Sequence, residues 1–107
     1  MSENVRHISS GEFADFTSGS QPVLVDFWAS WCGPCRMVAP VMEALGERYS
    51  GRAKIGKVDV DSEPALAARY GVMSIPTVIL FKNGEEKSRL VGAMPEEAYA
   101  RIIDEQL

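Results

Sequence analysis

The run VLVDFWA at residues 23–29 constrains the fold most, because six of its seven residues are apolar. A strand that is apolar on both faces is typical of the centre of a sheet covered by helices on each side. Asp26 is the single acidic residue of this run. The sequence therefore predicts an α/β protein in which this strand is central.

Further strands and helices alternate along the chain, each with its own start or stop signal. The strongest signal is Asn83 followed by Gly84, which is typical of a two-residue hairpin turn. Pro40 lies inside a helical pattern, where we expect a kink rather than an end. The expected helices cover residues 9–18, 34–49, 62–70 and 95–107, and the expected strands cover 23–29, 53–61, 77–81 and 87–91, with a short edge strand at 5–7.

The order of these elements predicts the architecture. Strand–helix–strand alternation indicates parallel strands joined by right-handed crossovers, and the hairpin adds an antiparallel pair. The predicted fold class is α/β, with a central mixed sheet of parallel strands plus a C-terminal antiparallel hairpin, flanked by helices on both faces. At 107 residues the chain is long enough to build its own hydrophobic core, so we expect a single domain over residues 1–107.

Composition and charge argue against several kinds of partner. The formal net charge is -4, whereas phosphate binding needs a basic face, so no nucleic acid is expected. No apolar run approaches transmembrane length and no basic amphipathic helix occurs, so no membrane association is expected. Residues 1–7 lack the basic region and apolar core of a secretory signal. We therefore expect a cytoplasmic protein in a reducing compartment.

Cys32 and Cys35 are the only cysteines, and a pair at this spacing has three common interpretations. A structural zinc site needs four ligands, and the single histidine, His7, is far away in sequence, so no metal site is expected. A structural disulfide across so short a loop removes little entropy from the unfolded chain, and the cytosol would reduce it. A CxxC within a βαβ pattern favours the third interpretation, a redox-active dithiol.

The two thiols are spaced for thiol–disulfide exchange. Residues three apart share a face of a helical turn, so their sulfurs can approach each other. Cys32 precedes the helix, where free N–H groups and the helix dipole favour an anion, so we expect it to be the nucleophile. Cys35 lies in the first turn and is expected to be the less exposed, resolving thiol. Gly33 and Pro34 are expected to set the geometry of the ring and thus its reducibility.

The sequence WCGPC at residues 31–35 resembles the active-site motif of the thioredoxin family, and the resemblance covers nearly the whole chain. Residues that match this family also occur at Asp26, Pro40, Lys57, Asp61, Ile75, Pro76, Thr77, Asn83, Gly84 and Gly92. The resemblance implies the thioredoxin fold and thiol–disulfide oxidoreductase activity. It further implies a monomeric protein-disulfide reductant that binds no cofactor, cycles between dithiol and disulfide, acts on disulfide-containing client proteins, and is recharged by an NADPH-dependent thioredoxin reductase.

The resemblance also implies roles for two charged residues. Asp26 would lie beneath Cys35 and accept the proton of that thiol, whereas the strand pattern alone suggests a polar residue that reaches water. Burial raises the pKa of a carboxyl group, which brings it toward the value that a general base needs near working pH. Lys57 would lie near Asp26, where its positive charge would modulate the carboxylate. The sequence alone favours an ordinary exposed lysine.

A groove for client proteins is implied by the same resemblance. The family carries a cis-proline opposite the CxxC, which assigns that role to Pro76, whereas X-Pro bonds in folded proteins are mostly trans. Ile75 would offer its backbone to an extended client segment, and an apolar rim would suit loosely held segments. The expected groove consists of Trp31, Val60, Ser74, Ile75, Pro76, Gly92 and Ala93.

Three positions depart from the usual family pattern. Arg36 replaces a lysine and keeps a positive charge near Cys32, while Ser30 and Ser74 replace other residues, and Ser74 borders the expected groove. Pro34 favours a reductant, because oxidising and isomerising relatives usually carry histidine there. Two alternatives stay open: an oxidant or isomerase in an oxidising compartment, and a binding module whose thiols are incidental.

Overall fold

The computed structural model describes residues 4–107, so residues 1–3 of the predicted domain lie outside the described part. Nine strands and helices follow one another within this range. In chain order they are β1 (Val5–His7), α1 (Ser10–Thr17), β2 (Val23–Trp28), α2 (Gly33–Arg48), β3 (Lys54–Asp59), α3 (Pro64–Arg69), β4 (Thr77–Lys82), β5 (Glu85–Val91) and α4 (Glu96–Asp104).

β2 lies at the centre of a five-stranded sheet with the order β1-β3-β2-β4-β5. β3 pairs in parallel with both β1 and β2, and β5 pairs antiparallel with β4 across the predicted hairpin. The central strand, the mixed sheet and the short edge strand are therefore confirmed.

The direction of β4 differs from the expectation. β4 runs antiparallel to β2, so the prediction that α3 joins two parallel strands is wrong. A parallel return must span the length of a strand, about 20 Å for six residues. α3 has six residues and covers only about 9 Å of that length, and the loops on either side of it do not carry the chain back along β3. The chain therefore re-enters the sheet at the carboxyl end of β2, where Thr77 pairs with Phe27.

One face of β2 packs against α1 and α3. Val23, Val25 and Phe27 belong to a hydrophobic cluster that also contains Phe13 of α1 and Leu66 of α3. Every member of this set is buried. This cluster covers the face of the sheet that does not carry Asp26.

The opposite face of β2 packs against α2 and α4. Leu24 belongs to a second cluster with Val38 of α2 and Tyr99 of α4. Because side chains alternate along a strand, Asp26 shares the face of Leu24. Helices on both faces of the sheet are thus confirmed, and the one acidic residue of β2 lies on the side of α2.

Element boundaries differ from the predicted ones by a few residues. β3 ends at Asp59 rather than 61, because the Asp59 carboxylate accepts a 2.9 Å hydrogen bond from the Asp61 backbone N–H and turns the chain. β5 begins at Glu85 rather than 87, because pairing starts directly after the two-residue turn. α2 continues through Pro40. Within residues 4–107, no helix is both long and apolar enough to cross a membrane.

Candidate active site

Cys32 and Cys35 are joined by a disulfide where β2 passes into α2. Cys32 is the N-cap residue of α2, and its Sγ accepts a 3.2 Å hydrogen bond from the Cys35 backbone N–H. Pro34 occupies the first turn, where the missing N–H costs nothing. After reduction, the same N–H and the positive end of the helix dipole would stabilise a thiolate on Cys32. The geometry fits the predicted division of roles.

The sulfurs are covered on most sides. Cys32 is 4% exposed and Cys35 is 3% exposed, so Cys35 is only marginally the less exposed of the two. Both pack with Ala29 and Ile75. Cys32 Sγ lies 3.7 Å from the carbonyl oxygen of Ile75. The residue before Pro76 therefore presents its backbone directly at the predicted nucleophile.

Asp26 is buried, with 1% of its surface exposed. Burial raises the pKa of its carboxyl group from an ordinary 3.8 to about 7, and the positive charge of Lys57 offsets part of that rise. Among the described residues, no hydrogen-bond partner reaches its Oδ1. A carboxyl group with this pKa can both take up and release a proton near neutral pH.

A cavity of about 200 Å³ links Asp26 to Cys35, since both line it. Lys57 lines it as well, together with Ser30 and Arg36, two of the positions that depart from the family pattern. Arg36 Nη2 donates a 3.1 Å hydrogen bond to the Ser30 carbonyl oxygen at the surface. The cavity therefore places the buried carboxyl group, Cys35 and the charged side chains of Lys57 and Arg36 around one space.

Lys57 is the register partner of Asp26 across β2 and β3. Its Nζ lies over the ring of Trp28, 4.6 Å from the ring centroid, which is a cation–π contact. Trp28 also lines the cavity. The structure thus brings Asp26, Lys57 and Cys35 to one cavity, where the family resemblance places them, while their roles in proton transfer stay predictions.

A shallow depression of about 390 Å³ lies beside Trp31, and it is mostly apolar. Its lining consists of Trp31, Val60, Val72, Met73, Ser74 and Ile75. Trp31 is 66% exposed, and its Nε1 donates a 2.8 Å hydrogen bond to Asp61 Oδ2. Four of the predicted groove residues are therefore brought together in one depression.

The remaining predicted groove residues lie next to this depression rather than in its lining. The bond between Ile75 and Pro76 is cis, as the family resemblance implies and as the X-Pro statistics alone do not. The Gly92 backbone N–H donates a 2.8 Å hydrogen bond to the Pro76 carbonyl oxygen, and Ala93 follows in an exposed position. Gly92, with φ of 91°, adopts a left-handed conformation that favours glycine.

Sequence reasoning missed Val72 and Met73, which line the depression. Met73 is 96% exposed. The available signal is that two apolar residues directly precede Ser74 in a stretch that has neither a helical nor a strand pattern. Across residues 4–107, no cluster of three or more His, Cys, Asp or Glu side chains is arranged to hold a metal ion.

Relatives of known sequence agree with this geometry. A thioredoxin from Staphylococcus aureus is 53% identical over 96 residues, which cover 88% of this chain and 92% of that protein. The chloroplastic thioredoxin M5 of Oryza sativa subsp. japonica is 55% identical over 83 residues, which cover 78% of this chain and 48% of that protein. The chain thus aligns with about half the length of the rice protein and nearly all of the bacterial one.

Solved structures agree as well. A mutant thioredoxin from Halobacterium salinarum NRC-1 superposes with a TM-score of 0.89 at 40% identity, covering 99% of this chain and 94% of that one. The thioredoxin of Malassezia sympodialis gives a TM-score of 0.87 at 37% identity, covering 96% and 91%. The Thioredoxin family model matches residues 4–105. With its disulfide at the start of α2 and its mixed five-stranded sheet, the chain belongs to the thioredoxin family of thiol–disulfide oxidoreductases.

Proposed function

We propose that this chain is a general reductant of protein disulfides, in which Cys32 attacks and Cys35 resolves. The observation that carries the proposal is the cavity that Asp26 shares with Cys35, at the helix end that holds the disulfide. A disulfide with a buried proton acceptor next to only one of its sulfurs has the asymmetry that a two-step exchange requires.

The first step joins the client to Cys32. The Cys32 thiolate attacks one sulfur of a client disulfide, the client S–S bond breaks, and the other client sulfur leaves as a thiolate that takes up a proton. The Cys35 N–H within 3.2 Å of Cys32 Sγ supports the anionic form of this nucleophile. The product is a mixed disulfide between Cys32 and the client.

The second step releases the client. Cys35 transfers its proton to Asp26, and the resulting thiolate attacks Cys32 Sγ. The mixed disulfide breaks and the second client sulfur leaves, so that the client gains two electrons and this chain gains the internal disulfide. The pKa of about 7 on Asp26 supports its role as the acceptor, and the positive charge of Lys57 adjusts that pKa.

The groove holds the client while these bonds exchange. An extended client segment would lie along Trp31, Val60 and Ser74 and pair with the backbone of Ile75 beside Pro76. Gly92 and Ala93 would form the other wall. Apolar contacts and backbone hydrogen bonds depend little on client side chains, which suits a reductant of many proteins.

The return of electrons needs a separate donor. Thioredoxin reductase, using NADPH, would reduce the disulfide between Cys32 and Cys35, and no cofactor would be bound by this chain itself. We place the reaction in the cytoplasm, where such a reductant is useful, and we expect a monomer. Short strands and charged side chains at the edges discourage pairing between sheets: β1 has only three residues, and the other edge, β5, carries Glu85, Glu86, Lys87 and Arg89.

The test is insulin reduction driven by NADPH and a thioredoxin reductase. The wild-type protein is expected to give NADPH-dependent insulin reduction, the Cys32→Ser variant none, and the control Met37→Ala, an exposed change on α2, full activity. Titration against glutathione redox buffers is expected to show that this chain is a stronger reductant than glutathione. At equilibrium, the disulfide between Cys32 and Cys35 should be favoured over glutathione disulfide. Turnover by Cys32→Ser, or a strongly oxidising equilibrium, would refute the proposal.

A further inference from the structure

Tyr99 is a buried side chain that ties the core directly to the segment 92–94, one wall of the proposed groove. It lies on α4 with 0% of its surface exposed. Its hydroxyl accepts a 3.1 Å hydrogen bond from the Met94 backbone N–H and lies 3.4 Å from the Gly92 carbonyl oxygen, to which it donates. One phenol thus holds both ends of the segment 92–94.

Apart from the Met94 side chain, which packs against the core, this segment has few other anchors. It follows β5 and precedes α4, and it has neither helical nor strand structure. Its further backbone contact is the 2.8 Å hydrogen bond from the Gly92 N–H to the Pro76 carbonyl oxygen. The backbone groups that Tyr99 binds would otherwise have to pair with water, which would leave the segment free to shift.

The contacts continue from this segment to the reactive sulfur. Pro76 follows Ile75, whose carbonyl oxygen lies 3.7 Å from Cys32 Sγ. The Tyr99 hydroxyl is therefore connected to the sulfur through the segment 92–94 and the cis-proline turn. Burial raises the pKa of Tyr99 above its usual range, so the hydroxyl keeps the proton that it donates to Gly92.

We propose that Tyr99 is a positioning residue, whose hydroxyl fixes the segment 92–94 as the groove wall that clients contact. The role rests on the proposed function, because the wall matters only where a protein client docks. It predicts that loss of the hydroxyl weakens client binding and leaves the thiol chemistry unchanged. Small disulfides, which need no wall, should react as before.

Tyr99→Phe removes the hydroxyl and keeps the ring. The matched control is Tyr49→Phe, because Tyr49 is 1% exposed and its hydroxyl binds Ala100 and Asp104, away from the groove. Prereduced protein is mixed with increasing insulin in stopped flow, and its reaction with a small aromatic disulfide is measured separately. Amide exchange of Met94 reports the position of the segment directly.

For Tyr99→Phe we expect the insulin concentration at half-maximal rate to rise roughly three- to tenfold, the range for loss of one or two hydrogen bonds. The maximal rate and the small-disulfide rate stay unchanged, and the Met94 amide exchanges faster. Tyr49→Phe should change none of these. The proposal is overturned if the insulin concentration at half-maximal rate is unchanged in Tyr99→Phe, or if it rises equally in Tyr49→Phe. If wild-type protein reduces no insulin, the proposed function fails, and Met94 exchange alone decides for or against the positioning role.

Discussion

The reactive segment of this protein is one continuous stretch of chain, whereas the proposed docking surface is assembled from distant parts of it. The reactive segment, residues 26–35, is continuous and contains Asp26, Cys32 and Cys35. The proposed docking surface shares Trp31 with that segment and is otherwise assembled from three separate parts of the chain, Val60 and the segments 72–76 and 92–94. The first is a strand and the start of the next helix, whereas the second consists largely of residues outside regular structure.

Because the two regions are built differently, substitutions in them should have different effects. The reactive segment is held by β2 at the centre of the sheet and by the first turn of α2, so its geometry follows from local structure. The docking surface depends on the relative placement of loops, which is fixed by few hydrogen bonds. Changes in the first should therefore alter bond exchange itself, and changes in the second should alter only the affinity for clients.

The largest effect is expected from Cys35→Ser. The client should remain covalently attached to Cys32, because no second thiol can release it, and multiple turnover should stop. Intact-mass spectrometry after mixing with insulin would detect the adduct. Cys32→Ser is the control and should form no adduct. Equal trapping by both variants would show that the two thiols are interchangeable and would break the assignment within the reactive segment.

Asp26→Asn is expected to have the next largest effect, on stability as well as rate. Because the folded-state pKa is raised from 3.8 to about 7, the folded protein binds this proton more tightly than the unfolded chain. The free energy of unfolding should therefore fall as pH rises from about 4 to about 7, by up to roughly 4 kcal/mol. The variant should lose this dependence, be more stable than wild type at pH 8, and resolve mixed disulfides more slowly.

Urea unfolding of the oxidised proteins at acidic and alkaline pH measures this difference. Asp15→Asn, which removes an exposed carboxylate on α1, serves as the control and should retain the pH dependence of wild type. A wild-type stability that does not fall across this interval would contradict the buried, raised-pKa description of Asp26.

A smaller effect is expected from Met73→Glu, which places a charge in the docking surface. Met73 is 96% exposed, so folding should be unaffected, while an apolar client segment would lose contact area and meet a charge. We expect the insulin concentration at half-maximal rate to rise severalfold. The rate of reaction with small disulfides should not change. Met37→Glu, at a 70% exposed position on α2, is the matched control. Equal weakening by both would point to net charge rather than to the depression.

The smallest effect is expected from Lys57→Met. Its positive charge lowers the pKa of Asp26, so removal should shift the pH midpoint for resolution of the mixed disulfide upward. Lys54→Met is the control, because Lys54 lies on the same strand with its Nζ 4.8 Å from the centroid of the Phe16 ring and outside the cavity. A midpoint that moves downward, or that moves equally in both variants, would show that Lys57 does not adjust the pKa of Asp26.

The same division explains what the sequence predicts well. β2, the hairpin at Asn83 and the start of α2 follow from local patterns, and the positions of Cys32 and Cys35 follow with them. The burial of Asp26 follows from the family resemblance and not from the strand pattern. The direction of β4 does not follow from a local pattern, because it depends on where the whole connection between β3 and β4 returns to the sheet. Val72 and Met73 were missed because the exposure of an apolar residue depends on where distant loops pass. The cis bond before Pro76 follows from the family resemblance and from no local pattern.

The connection through α3 has a consequence for engineering. Because the chain between β3 and β4 leaves and re-enters the sheet at the same end, β4 begins beside the carboxyl end of β2, and Ile75 lies against Cys32. A connection that recrossed the sheet would place the start of β4 at the opposite end of the strands, about one strand length, roughly 20 Å, from the disulfide. Libraries that vary the chain between β3 and β4 should therefore vary its residues and keep its length constant.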